Sequence, residues 1–140
     1  MLVRLLYCSR AVDTSPHAVE AIVTQARQHN TASGITGILC YGGGIFLQAI
    51  EGGRMQVSEL FGTILRDPRH KDVALLDYEE ILERRFGGWS MGQVNLGKLN
   101  HAVLLKYSEK AELDPYATSG KVSLALLEDL MAAAAICGRS

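Results

Sequence analysis

The chain has 140 residues, a formal net charge of −1 and 48% hydrophobic residues, which suits one globular domain with its own core. This balance argues against a polyanion-binding surface and against disorder, and no apolar run approaches a signal peptide or the roughly 18 residues of a membrane span. We therefore expect a cytoplasmic protein with neither a nucleic acid nor a membrane as partner.

The N-terminal part of the sequence predicts a strand followed by an amphipathic helix. Residues 2–9 alternate with the period of a β-strand, and one face carries Val3, Leu5, Tyr7 and Ser9. Ser15 and Pro16 are typical of a helix start. The apolar stripe of this helix is Val19, Ile22, Val23 and Ala26. Asn30 lies four residues after Ala26, so this amide extends the inward-facing stripe before Gly34 ends the helix.

Two apolar strands, residues 35–41 and 45–51, flank three consecutive glycines and predict a hairpin. Glycine-rich loops can also bind phosphate, but this loop joins strand to strand and precedes no helix. Within the second strand, Gln48 shares a face with the apolar Phe46 and Ile50. The opposite face carries Ile45, Leu47 and Ala49. Because both faces are largely apolar, we expect both sides of the sheet to be covered.

The remaining elements complete an α+β fold. A second helix runs from Gly52-Gly53 to Asp67-Pro68, and strands are predicted at 72–82 and 89–97, followed by helical stripes at 99–107 and 120–136. The first six elements, β-α-β-β-α-β, match a ferredoxin-like sandwich, to which the fifth strand is an addition. We expect the C-terminal helices to cover the other face of the sheet; pairing with another subunit is the alternative.

Three cysteines, Cys8, Cys40 and Cys137, form no CxxC pair and are odd in number. This spacing fits neither a disulfide framework nor a zinc site. We expect reduced thiols that are buried as small hydrophobic groups, and no metal.

Three polar side chains are predicted to point into one interior: Tyr7, Asn30 and Gln48. Each one alone is compatible with an ordinary structural role, such as a core tyrosine or an asparagine that satisfies backbone groups at a helix end. Together, a phenol and two amides between the sheet and a helix indicate a pocket for a planar ligand with its own donors and acceptors. The set lacks the nucleophile and base of a hydrolase.

Several segments, in order along the chain, resemble the BLUF family of blue-light sensors that use FAD. They are LVRLLYCSRA with Tyr7, ARQHN with Asn30, GITGILCY and FLQAIEG with Gln48, RDPRH, and RRFGGWSMG with Trp89 and Met91. The resemblance covers roughly residues 2–95. It implies a flavin-binding domain at 1–97 and a C-terminal helical extension at 98–140, packed on the sheet.

The resemblance implies a noncovalent flavin between the two sandwich helices, FAD or alternatively FMN or riboflavin. Gln48 would lie between the Tyr7 hydroxyl and the flavin, and Asn30 would bind the C4 carbonyl and N3 side. The implied apolar walls are Ile22, Ala26, Phe46, Phe61 and Ile64, and the implied contacts near the ribityl and phosphate end are Arg27, Asp67, Arg69 and His70. For Arg27 and His70, a solvated charge is the alternative. Ala26 stands where many relatives carry a small hydroxyl residue.

The resemblance also implies a photoreceptor that is not an enzyme. Light would drive electron and proton transfer from Tyr7 through Gln48 and rearrange the hydrogen bond at the flavin C4 carbonyl. Trp89 and Met91, two residues apart on one face of the last predicted strand, would carry the signal, although Trp89 could instead simply cap the core. Because the tail after residue 97 offers room only for covering helices, we expect output through a separate effector protein or a homo-oligomer.

Three other functions stay open on the sequence alone. A small phosphatase on this fold would need Arg10, Arg69 and His70, but no arginine lies in a phosphate-binding loop before the first helix. A flavin-dependent redox enzyme would need a nicotinamide or substrate site, which nothing in the sequence indicates. A small-molecule-binding module without a light response is the third possibility, and the colour of the pure protein distinguishes it.

Overall fold

The computed structural model describes residues 1–96 and 101–132. Its elements are β1 (Leu2–Ala11), α1 (Pro16–Ser33), β2 (Thr36–Gly42), β3 (Ile45–Gly53), α2 (Arg54–Arg66), β4 (His70–Ile81), β5 (Gly92–Asn95), α3 (Ala102–Tyr107) and α4 (Gly120–Ala132). A short 3-10 turn, Pro115–Ala117, lies between α3 and α4. Residue 97 of the last predicted strand, 99–100 and 133–136 of the predicted helices, and Cys137 lie outside the described residues.

Local sequence signals set the ends of the first elements. The Ser15 hydroxyl caps α1 by accepting from the Ala18 N–H at 3.3 Å, and Gly34 ends that helix with a left-handed φ of 69°. Gly43 and Gly44 form the hairpin turn between β2 and β3 with φ values of 58° and 79°. Positive φ at both central residues is the requirement of the hairpin turn that matches strand twist.

The five strands form one mixed sheet in the order β4-β1-β3-β2-β5. β5 pairs parallel with β2, and the other three pairings are antiparallel. β3 is therefore the middle strand, with β1 and β2 on either side, and the register of β1 against β3 sets Tyr7 opposite Gln48. The predicted ferredoxin-like α+β fold with an added strand is confirmed, and the addition lies at the β2 edge.

The sheet separates two apolar cores. The front core lies under α1 and α2 and contains Val3, Leu5, Tyr7, Ile22, Phe46, Ile50, Val57, Ile64 and Met91. The back core lies under α3 and α4 and contains Leu6, Cys8, Ile38, Cys40, Leu47, Ala49, Leu104, Leu126, Leu127 and Leu130. Because β-strand side chains alternate, each central strand contributes to both cores. The C-terminal helices thus cover the second face of the sheet, as the two-sided apolar pattern predicted.

A buried carboxylate fastens the loop between β4 and β5 to the sheet. Glu51, fully buried on β3, accepts from Arg4 Nε at 2.9 Å and from the backbone N–H groups of Arg85 and Phe86 at 3.0 and 2.7 Å. Arg4 also donates to Glu79 at 2.6 Å. The Arg85 side chain forms an ion pair with Glu128 of α4. This loop is therefore bound to both the sheet and the helical cover.

Within the described ranges, no helix has the length and apolar content to cross a membrane. The same ranges contain no cluster of His, Cys, Asp and Glu arranged to bind a metal. Cys8 and Cys40 are buried free thiols, as predicted.

Candidate functional site

A cavity of about 560 Å³ opens between α1, α2 and the sheet. Its buried floor includes Tyr7, Leu39 and Gln48. The helices contribute the walls, which include Ile22, Ala26, Leu60 and Ile64. Its outer part is polar and consists of Gln25, His29, Thr63, Arg66, Asp67, Arg69 and His70. An apolar slot with a few polar groups at its floor is the common form of a cofactor pocket.

A chain of three hydrogen-bonded side chains begins at the floor of the cavity. The Tyr7 hydroxyl donates to Gln48 Oε1 across the β1–β3 pairing, and Gln48 Nε2 donates to Met91 Sδ at 3.3 Å. Tyr7, Gln48 and Met91 are 1%, 4% and 0% exposed, so water has little access to these contacts. Both ends of the Gln48 amide are thus engaged, which explains how a primary amide is accommodated in the centre of an apolar strand.

The Tyr7 phenol is held in its protonated form. Burial raises its pKa above the ordinary value, and the negative charge of Asp67 raises it further. Its ring lies 5.7 Å from that of Phe61 and 6.4 Å from that of His70, centroid to centroid. Tyr7 is therefore the donor in its bond to Gln48.

Two α1 side chains bind the segment that precedes β5. Asn30 Nδ2 donates to the Ser90 carbonyl oxygen at 2.8 Å, and Arg27 Nε donates to the Met91 carbonyl oxygen at 3.1 Å. Asn30 Oδ1 and Arg27 Nη2 are buried and have no hydrogen-bond partner in the described part of the chain. Asn30 faces inward, as its spacing predicted. Arg27 differs from the expectation, because it binds the chain before β5 and does not join the polar outer part of the cavity.

Two of the charged side chains at the cavity entrance, Asp67 and Arg69, bind each other. Arg69 binds the Asp67 carboxylate through Nε at 3.0 Å and Nη2 at 2.7 Å, and its Nη2 also donates to Gln25 Oε1 of α1 at 2.8 Å. The hydrogen bond from Arg69 lowers the pKa of Asp67. His70 Nδ1 lies 2.8 Å from Ser9 Oγ, and burial lowers the pKa of its imidazole. At neutral pH the entrance thus carries an ion pair beside a neutral histidine.

Most of the predicted contact residues line the cavity. Those that do are Tyr7, Ile22, Ala26, Gln48, Ile64, Asp67, Arg69 and His70. Arg27, Asn30, Phe46 and Phe61 are not among the described lining residues. Phe46 is fully buried, with its ring centroid 5.2 Å from that of His70, and so lies behind the surface of the pocket. Phe61 supports the Tyr7 ring from the α2 side.

Sequence reasoning missed several lining residues on the two helices. Gln25 and His29 are four residues apart on α1, and Leu60 and Thr63 are three apart on α2. These spacings place each pair on one side of its helix, next to the predicted Ile22 and Ile64. The helical period was the available signal, but the polar and exposed character of Gln25 and His29 obscured it.

Trp89 and Met91 lie before β5, because that strand begins only at Gly92 and not at residue 89 as predicted. The carbonyl oxygens of Ser90 and Met91 accept from α1 side chains, and regular pairing with β2 starts at Gly92. Met91 belongs to the front core, whereas the partly buried Trp89 packs against the back core. The two residues therefore lie on opposite sides of the sheet, and the prediction that they share one face is wrong, because the segment before Gly92 is not a regular strand.

A family profile described as "BLUF: Sensors of blue-light using FAD" matches residues 2–92. The antirepressor BluF of Escherichia coli (strain K12), described as blue light- and temperature-regulated, is 38% identical over 88 residues, which are 62% of this chain and 22% of BluF. The photoactivated adenylate cyclase subunit beta of Euglena longa is 36% identical over 88 residues, 61% of this chain and 10% of that protein. The chain therefore spans less than a quarter of the length of these curated relatives.

Solved structures are also related, and two of them are of similar length. The BLUF protein BlrB in its dark state is 38% identical, with a TM-score of 0.79 and coverage of 94% of this chain and 96% of BlrB. BlsA in its photo-activated state is 29% identical, with a TM-score of 0.84 and coverage of 100% and 99%. Klebsiella pneumoniae BlrP1 with FMN and cyclic diGMP is 32% identical, with a TM-score of 0.70 and coverage of 94% and 35%. The profile match over most of the chain and these structural relatives show that the chain belongs to the BLUF family, the sensors of blue light using FAD.

Proposed function

We propose that the chain is a blue-light photoreceptor in which Tyr7 and Gln48 are the light-responsive pair beside a noncovalently bound flavin. The observation that carries this proposal is the buried chain that runs from the Tyr7 hydroxyl through Gln48, both on the floor of the cavity, to Met91 Sδ. A hydrolase or phosphatase would need a nucleophile or a set of free cations at this floor, and the floor holds a phenol and an amide.

A flavin fits the residues that are present. The cavity volume of about 560 Å³ lies within the usual range for sites of small ligands. Asn30 Oδ1 is buried and finds no partner among the described residues, so it is available as an acceptor for a ring N–H. Asn30 and Gln48 would hold the polar edge of the ring, Ile22, Ala26 and Ile64 its faces, and Arg69 and His70 the polar tail. When bound, the flavin supplies the absorption of blue light and, once excited, a one-electron oxidant.

Tyr7 is suited to be the electron and proton donor. Its raised pKa keeps the proton on the phenol in the dark, and its hydrogen bond directs that proton toward Gln48 Oε1. Among the described residues that line the cavity, it is the one phenol.

Gln48 is suited to be the switch, because the amide oxygen and nitrogen lie at opposite ends of one plane. A half turn of the amide would exchange them with hardly any change in shape. It would bring the oxygen to the Met91 sulfur, which is an acceptor and cannot donate. The contact between Gln48 and Met91 would be lost, and Met91 would be released from the front core.

The test is the visible spectrum of the full chain, loaded in turn with FAD, FMN and riboflavin, before blue light, after it and during recovery in the dark. We expect a flavin spectrum that shifts slightly to the red and returns without bleaching. Tyr7→Phe and Gln48→Leu should bind flavin and lose the shift, because the first removes the donor hydroxyl of the hydrogen-bonded chain and the second removes its central amide. Tyr78→Phe, which removes a hydroxyl from a tyrosine that is 42% exposed on β4, is the matched control.

Several outcomes would contradict the proposal. A colourless protein that refuses all three flavins would favour another small ligand, and a flavin that only bleaches would indicate redox chemistry. A normal reversible shift in Tyr7→Phe would exclude this tyrosine as the donor.

We place the output in a separate partner protein or in a change of homo-oligomer. The support is the diversity of the relatives, which include an antirepressor and photoactivated adenylate cyclases, each matched over a small share of its length. Light scattering on the same samples, in the dark and under blue light, distinguishes the two routes, because a light-dependent mass indicates the oligomer.

A further inference from the structure

Hydrogen bonds from β2, α1 and β3 converge on the three residues that precede β5. The Gly37 N–H donates to the Trp89 carbonyl at 3.1 Å, and Asn30 donates to the Ser90 carbonyl at 2.8 Å. Met91 is held twice, at its carbonyl by Arg27 Nε at 3.1 Å and at its sulfur by Gln48 Nε2 at 3.3 Å. The segment is thus fixed by β2, by α1 and by the switch amide together.

We propose that Arg27 is a positioning residue for the photoresponse, because its bond to the Met91 carbonyl holds the Met91 sulfur at Gln48. This inference rests on the proposed photoreceptor function. A methionine side chain has three rotatable bonds and adapts readily to its surroundings. The location of its sulfur therefore depends on how firmly its own backbone is fixed, and a hydrogen bond from a charged donor is a strong way to fix it.

Arg27 is better placed for this role than Asn30. Asn30 is also the proposed ligand of the flavin, so its amide is shared between the cofactor and the Ser90 carbonyl. The proposed flavin site does not use Arg27, whose Nε binds the Met91 carbonyl, so its hold on Met91 does not compete with the cofactor. Its partner lies 64 positions away in sequence, which makes this bond a direct link between α1 and the start of β5.

The guanidinium of Arg27 has a second buried donor beside Nε. Arg27 Nη2 is buried and has no hydrogen-bond partner within residues 1–96 and 101–132. Arginine presents its donors in a rigid fork, so a Met91 carbonyl that shifts can pass from Nε to Nη2 and stay bound. Lysine offers a single flexible ammonium group and cannot provide two fixed positions. The arginine can therefore guide the segment between two positions.

The test compares Arg27→Met, which removes the donors but keeps much of the side-chain volume, with Arg27→Lys, which keeps the charge. Gln28→Met changes the exposed neighbour on α1 and is the matched control. Trp89 is the single tryptophan of the chain, so its fluorescence reports directly on this segment. In the flavin-free protein we expect stronger acrylamide quenching of Trp89 in Arg27→Met than in wild type, and no change in Gln28→Met.

In the flavin-loaded protein we expect the dark recovery of Arg27→Met to be slower by roughly tenfold, the rate effect of one lost hydrogen bond from a charged donor. Arg27→Lys should recover at an intermediate rate. If Arg27→Met does not fold, the recovery rate of Arg27→Lys against wild type tests the proposal. Wild-type quenching and recovery in the Arg27 variants would overturn the proposal, as would altered quenching with unchanged recovery. If wild type itself shows no reversible red shift, the photoreceptor function fails, and the flavin-free quenching still decides whether Arg27 fixes the segment.

Discussion

At the scale of single residues, His70 makes the cavity entrance sensitive to acid. Its ring lies between Ser9 and Phe46, and burial lowers its pKa below the ordinary value. A histidine in an unfolded chain titrates near pH 6.5, roughly. Below that pH the unfolded state therefore binds more protons than the folded state, and the free energy of unfolding must fall as the pH decreases.

We therefore expect the flavin-free protein to lose stability as the pH falls from about 6.5 to about 5. His70→Gln, which cannot titrate, should lose much of this dependence, whereas His17→Gln on the exposed start of α1 should retain it. Urea unfolding at the two pH values measures the difference. The lowered pKa of Asp67 adds a further loss only at lower pH, because its unfolded carboxyl titrates near pH 3.9, roughly. An unchanged decline in His70→Gln would contradict the assignment.

Individual residues also show how far sequence reasoning reaches. The inward placement of Tyr7 and Gln48 could be predicted from strand alternation, and that of Asn30 from helical spacing, because these periods are local. The contact of Arg27 with the Met91 carbonyl could not be predicted, because every residue has a backbone carbonyl and the sequence does not indicate which one accepts. The same applies to the Asn30 bond to Ser90, which joins residues 60 positions apart.

At the scale of elements, Glu51 connects β1, β3 and the loop before β5. Its carboxylate is 0% exposed and accepts from Arg4 and from two backbone N–H groups. Breaking a buried ion pair on one side leaves a buried charge without compensation, which costs about 3–5 kcal/mol. The loop would lose an anchor at the same time.

We expect Glu51→Gln to lower the free energy of unfolding by about 3 kcal/mol, which is the lower end of that range. The amide retains one acceptor oxygen, and Arg4 retains its ion pair with Glu79. Chemical denaturation followed by circular dichroism gives the value. Glu59→Gln, on the exposed side of α2, is the control and should stay within about 0.5 kcal/mol of wild type. Equal stability of the two variants would show that the Glu51 contacts add nothing to the fold.

Helices and strands with a clear period were predicted well, and irregular segments were not. The stripe from Val19 to Asn30 predicted α1, and the glycines predicted the hairpin turn. The start of β5 was placed three residues early, because Trp89 and Met91 have the spacing of a strand. In the structure, the carbonyl oxygens of Ser90 and Met91 accept hydrogen bonds from side chains of α1. The parallel pairing of β5 with β2 also had no local signal, since periodicity does not identify a partner strand.

At the scale of the whole molecule, the sheet keeps the cavity apart from the helical cover. Leu127 of α4 is fully buried in the back core, on the side of the sheet away from Tyr7 and Gln48. We expect Leu127→Ala to lower the free energy of unfolding by about 2–5 kcal/mol, because it leaves a cavity in a packed core. The position and size of the light-induced spectral shift should stay as in wild type.

Urea denaturation and the difference spectrum of the same samples measure these two effects. Leu105→Ala on α3, where the leucine is 55% exposed, is the matched control and should change neither quantity. A spectral shift that changes in Leu127→Ala would mean that packing in the back core helps to set the hydrogen bonds at the cavity.

Trp89 and Met91 join those two cores over a distance of only two residues. Because Met91 packs in the front core and Trp89 packs against the back core, a change in either core can reach the same short stretch of backbone. Thermodynamic linkage makes such coupling reciprocal. Suppose that a partner protein binds to α3 and α4 with a higher affinity in the illuminated state than in the dark state. Its binding must then favour the illuminated state by the same factor as the ratio of the two affinities. The ratio of the two states in a cell would then follow the local concentration of the bound partner as well as the light.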